Sequence, residues 1–153
     1  MQLIIERADF TDHRLGEFLR AHLADLAPTA PVESRHALDL RGLQTPEVRL
    51  WVAFLDGQLV GTGALAAVEP GHEELKSMRT DPRQRGQGIA TRILVHLLGD
   101  ARGRGIRRIS LETGSMDFFV PARSLYAKAG FVPCAPFGRY AQDPNSVFLT
   151  KIL

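Results

Sequence analysis

The sequence contains one cysteine, Cys134, so no disulfide can form within a chain, and a reducing compartment is the expectation. It has no run of about 18 apolar residues, which excludes a helical membrane span. It opens without a charged-then-apolar leader: Met1-Gln2-Leu3 runs into strand-like sequence bearing Glu6 and Arg7. A soluble cytoplasmic protein with no membrane partner is therefore expected. The five histidines, His13, His22, His36, His72 and His96, show no metal-ligand spacing with one another or with Cys134, so no metal is expected. Charge of one sign is lacking too, with 19 basic residues against 17 acidic ones and a net charge of +2. The pI of about 9.0 reflects only a mild basic excess, and nucleic-acid binding would need that excess gathered on one face. Arg102, Arg104, Arg107 and Arg108 make a basic cluster between helix and strand, and a run of this kind is ordinarily a solvated surface, contact with nucleic acid or a cofactor phosphate being the lesser reading.

What is present suits a folded globule. Hydrophobic residues make up 44% and charged residues 24%, and 153 residues predict a single domain over 1–153. Gln2 to Glu6 reads as a strand. Thr11 to Leu26 reads as a helix capped by Asp9 or Thr11, with Leu15, Phe18, Leu19, His22, Leu23 and Leu26 at helical spacing. Residues 32–46 have too few apolar positions for a firm reading, and a short helix within a loop beside the ligand site is expected. Val48 to Asp56 and Gln58 to Val68 form a hairpin across Asp56-Gly57. Pro70-Gly71 turns the chain into a strand from Glu73 to Thr80. A helix spans Gly88 to Arg102, with Gly103 as its C-cap. A strand from Arg107 to Thr113, a helix from Pro121 to Ala129 closed by Gly130, and a strand from Ser146 to Leu153 complete the chain. This order predicts a mixed α/β sheet covered by helices.

The stretch from Met78 to Thr91 organises the rest. Asp81-Pro82 ends a strand, since proline gives no N–H to the ladder, and Gly86 and Gly88 stand where a helix begins. The first N–H groups of a helix lack internal partners and the dipole there favours anions. Glycines let a phosphate approach the backbone, and Arg83 and Arg85 add charge suited to phosphate. The loop lacks the Gly-Lys-Ser/Thr of a P-loop and the Gly-x-Gly-x-x-Gly of a dinucleotide fold.

Arg83-x-x-Gly86-x-Gly88 resembles the Arg/Gln-x-x-Gly-x-Gly/Ala signature of the GNAT superfamily of acyl-CoA-dependent N-acetyltransferases. Leu125-Tyr126-Ala127-Lys128-Ala129-Gly130-Phe131 is similar to its Leu-Tyr-x-x-x-Gly-Phe. The resemblance runs from about Val48 to the end of the chain. Lys76–Thr80 and Leu111–Ser115 are similar to a bacterial subgroup of undefined substrate. It implies an α+β fold: a mixed, mostly antiparallel sheet of about six to seven strands, helices on both faces, and a central parallel pair that splays to admit the pantetheine arm. It implies acetyl-CoA as co-substrate. The cofactor set would be Met78, Arg79, Thr80, Arg83, Gln84, Arg85, Gly86, Gln87, Gly88, Ile89, Ala90 and Tyr126. The backbone near Met78 to Thr80 would serve the oxyanion. The family often carries an asparagine seven residues before the tyrosine, and Phe119 stands there instead.

Acyl transfer to an amine needs few side chains. An amine of pKa about 10.4 is neutral in on the order of one molecule in a thousand at pH 7, so a base is useful. Glu112 and Glu74 are the candidates, each of them equally a solvated strand end, and in many family members a water chain serves instead. Tyr126, matched to the family's tyrosine, is the candidate acid for the leaving thiolate; the alternative is a packed core ring. Lys76 and Arg35 are candidates to grip a carboxylate on the acceptor, and Phe119, with Phe118, Trp51 and Tyr140, to wall its pocket, although aromatic residues are core by default. The expected activity is N-acetylation of a small-molecule primary amine by direct attack in a ternary complex. Acetylation of a protein lysine or N-terminus, and a non-catalytic acyl-CoA sensor, are the alternatives. No nucleic-acid partner is expected; a homodimer is admitted without a named surface.

Overall fold

The structure, a computed structural model, describes residues 2–153. Strands β1 (Leu3–Arg7), β2 (Val48–Leu55), β3 (Gln58–Glu69), β4 (His72–Thr80), β5 (Arg108–Gly114), β6 (Val132–Pro133) and β7 (Ser146–Ile152) form one sheet. Its order is β1-β2-β3-β4-β5-β7-β6. Every neighbouring pair is antiparallel except β4 and β5, which run parallel. Helices α1 (His13–Leu26), α2 (Leu40–Leu43), α3 (Ile89–Gly103) and α4 (Val120–Lys128) accompany it. The expected mixed sheet with one parallel pair is thus the observed fold.

Alternation along β2 shows how the sheet is covered. Trp51, Ala53 and Leu55 pack with Ile93, Leu97 and Tyr126 from α3 and α4, while Leu50 and Val52 pack with Leu15, Leu19 and Leu43 from α1 and α2. Successive side chains point to opposite faces, so one strand serves both cores. The β2–β3 hairpin turns at Asp56 and Gly57, with φ of 49° and 85°, the double left-handed geometry of a tight turn.

Several local expectations shift. Asp12, not Asp9 or Thr11, caps α1 by accepting from the Arg14 N–H; Asp9 accepts from Thr11 in the preceding turn. Gly103 lies inside α3, Arg104 ends it, and Gly105 takes the positive φ of 80°. Segment 32–46 holds a 3₁₀ turn at Val32–Ser34 and the single turn α2, capped by Asp39. The two-residue β6 on the sheet edge has no periodic signature in sequence and was not expected.

Candidate active site

The central strand pair sets the site. Parallel pairing joins His72, Glu73 and Glu74 to Arg108, Ile109 and Ser110, and then stops, although β4 continues to Thr80 and β5 to Gly114. A bulge in β4 accompanies the parting. Thr62 pairs with Arg79 and Ala64 with Lys76, so Ser77 and Met78 together oppose Gly63. Ser77 adopts a φ of 53°, and its carbonyl accepts from the Thr62 hydroxyl at 2.8 Å. Ser77 Oγ, Arg79 Nε and Thr80 Oγ1 are buried there without protein partners.

Below the bulge, Asp81 caps a 3₁₀ turn, Pro82–Gln84, by accepting from the Arg83 N–H. Gly86 and Gly88 have φ of 80° and 76°, a region that L side chains avoid, and an added Cβ on either would meet nothing within 4 Å. Gly88 caps α3 with no side-chain bond, so the first-turn N–H groups stay free for an anion. These features fit a pyrophosphate. A cavity of about 390 Å³ opens over the loop. It takes in every predicted residue between Met78 and Ala90 except Arg83 and Gln87. Arg83 folds back on Asp81, with Nη2 2.8 Å from Oδ2, and Gln87 donates to Gln84 Oε1. Among the described residues Arg85 forms no ion pair.

A second cavity, of about 450 Å³, is lined by Glu74 to Met78 of β4 and Glu112 to Gly114 of β5. His22, Leu26, Met78, Phe119, Ala122 and Tyr126 line both cavities, so the two adjoin at the bulge. Tyr126 is 6% exposed, and burial pushes its phenol above the ordinary tyrosine value. Phe119 occupies the space against Gly114 that a Cβ would need.

The second cavity holds the predicted carboxylates and cations. Burial raises the Glu112 carboxyl above its usual range, and the adjacent Ser146 hydroxyl, His36 and Lys76 only partly offset this. Among the described residues no ion pair holds Glu112, and the buried Ser146 hydroxyl lies beside it. Glu74 accepts through Oε2 from Lys76 Nζ at 3.1 Å and from the Tyr140 hydroxyl. Lys76 also donates to Tyr140 OH at 3.0 Å and to the His36 carbonyl at 3.2 Å. Arg35 sits at the rim, its Nε donating to the Ala30 carbonyl at 2.8 Å.

Sequence reasoning missed two members. Tyr140 was grouped with pocket walls, yet it links Glu74 to Lys76. His22 was counted within the apolar stripe of α1, yet it lines both cavities, and burial together with Arg79 lowers its pKa to about 4. A histidine in a leucine stripe was the available signal. Cys134 is half-buried and burial raises its thiol pKa, as expected of an inert thiol.

Comparison with known proteins agrees with this geometry. The acetyltransferase (GNAT) family profile matches residues 11–131. The uncharacterised N-acetyltransferase YsnE of Bacillus subtilis is 44% identical over 145 residues, covering 95% of this chain and 96% of that protein. A crystal structure from Klebsiella pneumoniae, described as a candidate acyl-CoA N-acyltransferase, superposes with a TM-score of 0.80 at 30% identity, covering 99% and 98% of the two chains. The PaiA N-acetyltransferase of Thermoplasma acidophilum, solved in complex with coenzyme A, shares the fold with a TM-score of 0.77 at 18% identity and full coverage of both chains. With a profile spanning most of its length and relatives aligned end to end, the chain belongs to the GNAT family of acetyltransferases.

Proposed function

We propose that residues 1–153 act as one domain that moves an acetyl group from acetyl-CoA to the primary amine of a small molecule, by direct attack in a ternary complex. The observation that carries this reading is the meeting of two cavities at Met78 and Tyr126, one over the glycine loop and one over Glu112. Gly86, Gly88 and the first turn of α3 hold the pyrophosphate, Arg85 adds charge, and the pantetheine arm follows the gap between β4 and β5.

The amine nitrogen attacks the thioester carbonyl from the second cavity. Glu112 takes its proton; burial raises this carboxyl toward the amine's own pKa, which makes it a stronger base than an exposed carboxylate. Glu74 is already bonded to Lys76 and Tyr140 and is the weaker choice. Backbone N–H at the Ser77–Met78 bulge serves the oxyanion. As the C–S bond breaks, the electron pair leaves on sulfur and Tyr126 returns a proton to it. Its raised pKa keeps the phenol protonated at neutral pH, as an acid must be, at the cost of some driving force. Free-thiol release from acetyl-CoA, measured across amines, amino acids and peptides, tests the proposal. Tight acetyl-CoA binding with no release on any acceptor would replace it with the sensor reading.

A further inference from the structure

The charged groups of the second cavity are unevenly engaged. An ammonium has three protons to donate, and those of Lys76 have three acceptors, in Glu74, Tyr140 and the His36 carbonyl. Lys76 is therefore spent inside the wall. Arg35 differs: its Nε is tied to Ala30, and it forms no ion pair among the described residues. Both terminal nitrogens remain as a planar fork, the geometry that matches a carboxylate. The backbone beneath it is fixed, because Ser34 donates to Asp143 Oδ2 at 2.5 Å and accepts from Asn145. Among the described residues the cavity thus holds one cation without an ion pair, Arg35, at its rim and one carboxylate without one, Glu112, on β5.

We infer that the acceptor is a small amino carboxylate, an amino acid, whose carboxylate is held by the Arg35 fork while its amine lies toward Glu112. This rests on the acetyl-transfer reading and goes further by naming the substrate class. A dipolar molecule satisfies both unpaired groups, whereas a simple amine leaves Arg35 without a partner. The cavity of about 450 Å³ is of the size that holds a small molecule.

The test compares the proteinogenic L-amino acids, β-alanine and γ-aminobutyrate with their carboxamides, scored by thiol release from acetyl-CoA. Loss of the carboxylate lowers the amine's pKa, so the carboxamide is intrinsically the more reactive at neutral pH, and a preference for the acid would run against reactivity. At least one acid should exceed its carboxamide about tenfold to a hundredfold in kcat/KM, the worth of a charged hydrogen-bonded contact. Arg35→Gln should erase that preference by slowing the acid alone, with acetyl-CoA affinity unchanged and Arg35→Lys intermediate. Equal use of acids and carboxamides, or equal loss on both in Arg35→Gln, overturns the inference and leaves acetyl transfer standing. If nothing is turned over, calorimetry of the same acids against the coenzyme A complex decides. Arg35-dependent binding sustains the inference while acetyl transfer fails; no binding of any acid overturns it.

Discussion

The thioether of Met78 fills the space that a side chain at Gly63 would need. A Cβ on Gly63 would stand 2.8 Å from Met78 Sδ and 2.9 Å from Ile93 Cγ2. Gly63 is thus what lets β4 bulge at Ser77–Met78 and still pack on α3. Gly63→Ala should cost about 1–3 kcal/mol, as overpacking does, and weaken acetyl-CoA binding by displacing Met78. Urea unfolding and calorimetry check both; a variant as stable and as tightly binding as the parent would show that the neighbours yield freely.

Gly86→Asp meets a different obstacle. No atom crowds the position, but a φ of 80° strains any L side chain and the carboxylate would oppose the pyrophosphate. Calorimetry on folded protein should detect no acetyl-CoA binding. Unchanged affinity would end the assignment of this loop to the cofactor.

Tyr126→Phe keeps the buried ring and removes the proton. A group acting in the transition state contributes little to ground-state binding. We expect kcat to fall about a hundredfold to ten-thousandfold, with acetyl-CoA affinity changed by less than about tenfold. Donors whose leaving thiol has a lower pKa should lose less. Normal turnover with chemistry rate-limiting would remove Tyr126 from the mechanism.

Glu112 must be ionised to accept a proton, and its pKa is raised, so the rate should climb with pH as this carboxyl ionises and again as the amine loses its proton. Glu112→Gln should be slowest relative to the parent between these two ionisations, where the carboxylate is charged and the neutral amine still scarce, and should bind acetyl-CoA normally. A uniform loss across the pH range would instead indicate a structural role.

His22 should titrate near 4, against about 6.5 in the unfolded chain. Between those values the unfolded state binds the proton more readily, so stability is retained above pH 6.5 and falls as the pH drops toward 4. Proton NMR of the imidazole gives the pKa directly, and His22→Gln should flatten the pH dependence of the urea midpoint across that window. An ordinary pKa in the folded state would mean that the ring is better solvated than its place between the cavities implies.

Much of this molecule was decided locally. Alternation along β2, the Asp56-Gly57 hairpin, proline and glycine at the ends of α4, and the paired glycines before α3 need only near neighbours in the chain, so strands, helices and the anion loop were legible as sequence. The Leu-Tyr-x-x-x-Gly-Phe run likewise located Tyr126. The state of each charged group was not legible. Lys76 bears the same charge whether it faces a substrate or a tyrosine 64 positions later, and only the sheet order decided that it meets Tyr140. The same holds for His22, which joined the site because α1 packs beside β4, and for Arg35, left unpaired by an arrangement no spacing encodes. Backbone preference acts over a few residues, whereas desolvation and ion pairing depend on what the folded chain brings within a few ångströms. That is why the elements could be read along the chain, while the site's electrostatics were set by tertiary structure alone.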